Sequence, residues 1–306
     1  MTQHIAGIRR VVSQPPHGAA RLPQVSAPAA HMPVLGEDGG KDRQFVTALA
    51  RGLDVLRAFR AGDDLLGNHE IAARAGLPRP TVVRLTHTLA ELGYLTYVRR
   101  FRKHRLAPSA LALGCTALAN LDVRHVASGP MQQLAQVLDG TVVLGGRDRT
   151  SMICLESQHG AADLGVACDV ATRLSIAATD MGRAYLAILP EPQKNHLMEQ
   201  IRRGWRGDWS GTRANIDRAA QEVAERGFCL SWGDQAPELC GIGAPLRCPD
   251  GETFFSFGVW ARIDRMSREQ LEQLWGPRLL RLVREVRNGL AGRVSSADRY
   301  RRFVRG

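Results

Sequence analysis

Between residues 68 and 106 two short amphipathic segments are split by Gly76-Leu77-Pro78, and the second runs directly into a hairpin whose tip is almost entirely cationic. Few folds accept that order. Upstream, Val46, Leu49, Leu53, Leu56 and Phe59 recur at helical spacing, so 45–60 reads as a helix that ends at Ala61-Gly62-Asp63-Asp64. Asn68 is a good N-cap for a second helix running to Ala75. In the third, Pro80 occupies the first turn, where a missing N–H costs nothing, and Gly93 closes the helix after Leu92 in left-handed geometry. Tyr94–Val98 then reads as a strand, Arg99–Arg105 as a turn and Leu106 as part of a return strand. Three helices and a hairpin in this order predict a winged helix-turn-helix over residues 45–106.

The third helix tests that assignment. Val82, Leu85, Leu89 and Leu92 fall at i, i+3, i+7 and i+10 and are expected to face the core. Arg79, Thr81, Arg84 and Thr88 are left on the outer face, toward the N-terminal half that recognition helices insert into the major groove. Arg84 has the fork that matches a guanine edge, and Thr81 suits a phosphate or a thymine methyl. The helix N-terminus itself attracts phosphate. The turn adds Arg99, Arg100, Arg102, Lys103 and Arg105, with His104 and Phe101 among them, a composition fitted to the sugar-phosphate backbone.

The distribution of charge supports the same division. The chain has 306 residues and a net charge of +11. Residues 44–107 carry +6 and 287–306 carry +5, while 108–286 carry −2. A basic module joined to a near-neutral one fits a nucleic-acid reader with a separate control domain, although charge alone also allows a solvated basic surface. The length predicts two domains. Residues 1–43, rich in Pro, Ala, Gly and Gln, read as a disordered, passive arm. After a linker helix over 107–122, residues 123–290 alternate strand and helix patterns as an α+β domain with a mostly antiparallel sheet, and 291–306 form a basic tail. Strands are expected at 141–145, 151–156, 163–168, 227–231, 240–247 and 253–261. Gly243-Ala244-Pro245 within one of them suggests an edge or a bulge.

Several function classes find no support. The six cysteines form no CxxC pair and no zinc pattern, and read as reduced core thiols of a cytoplasmic protein. No apolar run is long enough for a membrane span. GxSxG, GxxxxGK[ST] and HExxH are absent, so no catalytic residue, cofactor or metal is assigned. An enzyme remains a competing class in principle, as does an RNA-binding or purely protein-binding module.

The motifs taken together resemble the IclR family of bacterial transcription factors. The resemblance rests on Leu49–Leu56, on Glu70–Leu85, on Glu91-Leu92-Gly93-Tyr94-Leu95 and on Arg105-Leu106-Ala107-Pro108. It continues through Thr179-Asp180-Met181-Gly182-Arg183-Ala184, where the family has Thr-Ala-x-Gly-Lys-Ala, and through Arg226-Gly227-Phe228 and Ile242-Gly243-Ala244-Pro245-Leu246. It implies a GAF-like C-terminal domain that binds a small effector, often an organic or aromatic acid. It also implies homodimers that pair into tetramers on a roughly palindromic double-stranded operator, with RNA polymerase as a further partner. Carried over by position, the effector residues are Ala171, Thr172, Ser231, Leu239, Gly241, Gly258 and Trp260. The Met181-Gly182-Arg183 and Arg105–Pro108 variants are similar to the branch that senses aromatic acids such as protocatechuate or hydroxybenzoate.

The sequence departs from the family pattern in and beside that set, where Asp180 and Glu238 can shape an effector site or stand as surface carboxylates. Ser231 replaces a common acidic residue, Gly241 a common cysteine and Glu238 a usual glycine. Small or hydroxyl residues are common where Gly258 and Trp260 stand. Two roles for Trp260 stay open: an aromatic platform for a ligand, or a plug that fills the cavity.

Overall fold

The computed structural model describes residues 20–21, 44–60, 62–160 and 166–305, with 20–21, 166–167 and 294–305 described by backbone alone. The expected disordered arm falls outside these residues, except that β1 (Ala20–Arg21) pairs in parallel with β6 (Val166–Ala167). The first three residues of the 163–168 strand expectation also fall outside them.

The N-terminal head is a winged helix-turn-helix. Helices α1 (Thr47–Arg57), α2 (Asn68–Ala75) and α3 (Arg79–Glu91) precede a hairpin of β2 (Leu95–Val98) and β3 (Lys103–Leu106). Val55, Phe59, Leu66, Ile71, Val82 and Leu95 form its core. Gly76 ends α2 at φ 64, the left-handed conformation that a break this tight requires of the chain. Leu66 exchanges two 2.8 Å backbone bonds with His104, so the hairpin is stitched to the head by a third short strand segment.

Three local expectations are corrected here. Along α1 and its cap, Val46, Leu49 and Leu53 face outward, 61%, 63% and 47% exposed, and the helix buries Asp54 and Val55 instead, while Phe59 beyond its end is buried as expected. Leu92 lies just past the end of α3 and is exposed, while Thr86 is buried and donates to Asn68 Oδ1 at 3.2 Å. Asn68 is therefore the first helical residue, and Gly67 is the cap, its N–H donating to Glu70 at 2.6 Å.

The C-terminal part is α+β. After α4 (Pro108–Ala119) and α5 (Asp122–Leu138) come β4 (Thr141–Asp148), β5 (Ser151–His159), β6 and β7 (Arg173–Ser175). Then follow α6 (Asp180–Ala187), α7 (Glu191–Gly204), α8 (Trp209–Arg226), β8 (Cys229–Trp232), β9 (Leu239–Arg247) and β10 (Phe254–Arg262). A short α9 (Arg268–Gln270) and a π-helical turn lead into α10 (Gly276–Arg305). The helix thus runs on through the segment expected to be a separate basic tail. The sheet order is β7-β5-β4-β10-β9-β8, antiparallel throughout.

Strand alternation builds two cores. Val142, Leu144, Ile242, Phe257 and Val259 pack beneath α5 and α10. Val143, Met152, Leu239 and Trp260 point the other way, toward Met181, Leu186, Leu197 and Ile216 of α6, α7 and α8. β9 is not an edge strand. Its Pro245 is tolerated because β8 pairs only as far as Gly243, leaving β9 with one neighbour there. Strand β8 starts at Cys229 because Gly227, at φ 86, caps α8. β7, three residues long, was not expected. Cys154, Cys168, Cys229 and Cys240 are buried thiols, but Cys115 is exposed on α4.

Candidate DNA interface and effector face

Helix α3 presents Arg79, Arg84 and Thr88 to solvent, with Thr81 half-buried beside them. Pro78 is the N-cap residue and Pro80 stands in the first turn, and no side chain caps the N–H groups there. Thr88 already donates its hydroxyl to the Arg84 carbonyl at 3.1 Å, which leaves the other three as the freer contacts.

The wing is tighter than its sequence suggests. The turn is Arg99–Arg102, closed by bonds from Phe101 and Arg102 N–H to Val98 and Arg99, with Arg102 at φ 53. Arg99, Arg100, Arg102 and Arg105 are exposed, and the Arg100 guanidinium lies 5.5 Å above the Phe101 ring. Lys103 and His104 are strand residues with other partners. Lys103 pairs with Glu70 at 3.0 Å, tying the wing to α2. His104 is buried against Tyr97, ring centroids 5.0 Å apart, and burial lowers its pKa, favouring the neutral ring. It adds no charge to the tip.

The head touches the C-terminal part through charge. Asp54, buried in α1, lies 3.5 Å from Arg149, and Arg57 lies 3.6 Å from Asp148, both at the β4–β5 turn. Asp148 is shared with Arg173 at 2.6 Å, and Arg173 adjoins Thr172. Burial, with Arg149 close by, lowers the Arg57 pKa.

Five of the residues carried over for the effector lie on the α6 side of the sheet. Register pairs Ser231 with Gly241, Gly241 with Trp260, and Gly258 with Gly243. Leu239 lies two residues from Gly241 on the same side, and Thr172 is buried, its carbonyl accepting from Cys154 N–H at 2.9 Å. Ala171 is exposed at φ 71 and stands at the rim. Helix α6 is pressed onto this face: a Cβ on Gly243 would come within 2.2 Å of the Asp180 carbonyl oxygen.

Asp180, which the sequence allows either to shape an effector site or to lie on the surface, is buried and organises the face. It is the first residue of α6 after Thr179, whose hydroxyl caps the helix by accepting from Gly182 N–H at 3.0 Å. Asp180 is fully buried, and its Oδ1 accepts from Trp260 Nε1 at 2.8 Å and Gln235 Nε2 at 2.7 Å. Burial pushes its pKa up to about 6, against the Trp260, Met181 and Gln235 hydrogen bonds and the nearby Arg183. Trp260 itself is 1% exposed and lies over Gly241 and Gly258. Among the described residues no three His, Cys, Asp or Glu are grouped to hold a metal.

A model of the IclR helix-turn-helix domain matches residues 48–99, and a model of the bacterial transcriptional regulator IclR C-terminal domain matches residues 115–287. The chain belongs to the IclR family. It is 31% identical over 244 residues to the HTH-type transcriptional regulator TsaQ1/TsaQ2 of Comamonas testosteroni, covering 79% of this chain and 87% of that one. Among solved structures, an IclR-family transcriptional regulator from Brucella abortus is 38% identical with a TM-score of 0.75, covering 83% and 96% of the two chains. An IclR homolog from Microbacterium hydrocarbonoxydans, complexed with 4-hydroxybenzoate, shares the fold at 20% identity and a TM-score of 0.61, covering 80% and 99%. As an IclR-family protein the chain is a DNA-binding transcriptional regulator with a C-terminal effector-binding domain, and its relatives are regulators rather than enzymes. No helix among the described residues is long and apolar enough to cross a membrane.

Proposed function

We propose that this IclR-family regulator reads a roughly palindromic operator as a homodimer, pairing further into tetramers in the cytoplasm, under the control of an organic or aromatic acid. The exposed arginine pair on α3 beside the exposed wing arginines carries the DNA reading. Arg79, Thr81 and Arg84, with Thr88 behind them, address base edges and flanking phosphates. Arg99, Arg100, Arg102 and Arg105 hold the backbone, and Lys103 acts by fixing the wing.

Gel shifts with duplex from beside the gene test this. Arg84→Ala is expected to cost about 1–3 kcal/mol on the specific site and little elsewhere. Neutralising Arg99, Arg100 or Arg102 is expected to weaken all sequences alike and to flatten the salt dependence by about one per lost contact. A sequence-selective loss at Arg100 would reverse these roles.

The dimer reading is supported by helix α4. No residue of it is buried, and Leu111 and Leu113 are 68% and 60% exposed. An apolar helix so bare needs a partner, and a second copy supplies the same face by symmetry. Together, Leu111→Glu and Leu113→Glu are expected to shift sedimentation toward the 33.5 kDa monomer and to abolish two-site operator binding. An unchanged mass would place the interface elsewhere.

The effector is placed on the α6 side of the sheet, at Thr172, Ser231, Leu239, Gly241, Gly258 and Trp260, with Ala171 at the rim. The 4-hydroxybenzoate complex of the Microbacterium homolog supports the ligand class. The relay to the head runs through α4 and through the Arg173–Asp148–Arg57 contacts, and the regulated partner downstream is RNA polymerase. Operator affinity and polymerase recruitment that stay constant at saturating effector would end this reading.

A further inference from the structure

Two acceptors on the α6 side of the sheet are buried without a hydrogen bond: Asp180 Oδ2 and Gln235 Oε1. They belong to one cluster, because the Gln235 amide donates through Nε2 to Asp180 Oδ1 while its own oxygen is left over. Buried acceptors are met in nearly all folded proteins, so a pair left open together marks a place where something else donates. The local cation does not serve them. Arg183 is buried but committed, with Nη1 on Asp234 at 2.5 Å and Nε on the Ala177 carbonyl at 3.0 Å. The nearby Cys229 and Cys240 are neutral thiols, their pKa values raised by burial and by Asp180 itself, and their Sγ atoms point to the Asp180 and Ala261 carbonyls.

Gly241 keeps this arrangement possible. A Cβ there would lie 2.4 Å from Asp180 Oδ2 and 2.5 Å from the Trp260 ring. Gln235 comes from the β8–β9 connection, whose Asp234 and Gln235 both clasp the first turn of α6.

We propose that Asp180 and Gln235 form a subsite that accepts hydrogen bonds from the effector's hydroxyl or amino group and excludes its carboxylate. This rests on the placement of the effector on the α6 side of the sheet. Two acceptors repel a carboxylate and reward any group with a free N–H or O–H, so a ring acid binds with its acid end away from Asp180. Discrimination of this kind is large, because the analogue lacking the donor leaves buried acceptors unpaired.

The test is calorimetry on the full-length protein at pH 8 with benzoate, 3- and 4-hydroxybenzoate and the corresponding aminobenzoates. At least one hydroxy or amino acid is expected to bind at least tenfold tighter than benzoate. Asp180→Asn keeps an oxygen for Trp260 but replaces an acceptor with a donor, and it is expected to erase that gap. Gln235→Leu is expected to narrow it, and circular dichroism with an intact operator shift shows that each variant folds. Equal binding of benzoate and its hydroxylated forms would mean that water meets the acceptors and would overturn the proposal. A gap that survives in Asp180→Asn would overturn it too, by placing the donor elsewhere. If no probe binds while the operator shift persists, the effector placement falls with the proposal and the DNA reading stands.

Discussion

Replacing Trp260 by alanine is expected to lower the unfolding free energy of the C-terminal domain by about 3–5 kcal/mol, the range for a fully buried aromatic. Its indole lies over Gly241 and Gly258 and near Met181 Cβ, positions that no neighbour can extend to fill, since two of them are glycine. The loss is compounded at Asp180, which loses the Nε1 donor. Trp260→Phe separates the two effects. It restores most of the volume but not the N–H, and so is expected to recover more than half of the loss. Urea unfolding followed by far-ultraviolet circular dichroism measures both. A cost under about 1 kcal/mol for the alanine variant would mean that the face collapses onto the gap, and that the indole is no plug.

How much of this was legible in the sequence depends on what each signal encodes. The head could be read because Gly76, Pro80 and Gly93 punctuate it and because helical period is visible in sixteen residues. The same period misled in α1, which is apolar on two faces. Leu49 and Leu53 look outward while Val55 looks inward, and spacing cannot tell a core from a surface awaiting a partner. Lys103 and His104 were counted with the wing tip because a run of cations hides where a strand begins. Lys103 pairs with Glu70 of α2, and His104 lies opposite Tyr97 in the hairpin register. Strand β7 was missed because three residues are too few to show alternation.

The α6 side of the sheet was half legible. Resemblance carried over positions on neighbouring strands, and the antiparallel register brings Ser231, Gly241 and Trp260 side by side. For Asp180 the sequence left a choice between shaping an effector site and standing on the surface, because one carboxylate in a sequence carries no record of its burial. The 2.8 Å bond from Trp260 Nε1 is a tertiary contact between α6 and β10 that spacing along the chain does not encode.

Asp180 also gives the chain an uncommon pH dependence. In the unfolded chain its pKa is near 3.8, and in the fold burial raises it to about 6. Between those values the folded state holds a proton that the unfolded state has released, so stability falls as pH rises through this window, the reverse of a salt-bridged carboxylate. The full difference, about two pKa units, corresponds to about 3 kcal/mol, with about 2 kcal/mol of it between pH 4.5 and 7.5. Asparagine does not titrate. Relative to wild type, Asp180→Asn is therefore expected to gain about 2 kcal/mol across that interval, whatever its fixed cost, and paired urea titrations at several pH values measure the gain. Parallel pH profiles for the two proteins would mean that Asp180 is ionised as easily in the fold as in water, and that its open oxygen is solvated. A carboxylate that weakens the fold at neutral pH has its simplest physical reason in what it binds, so the stability profile and the ligand preference test one residue from two independent sides.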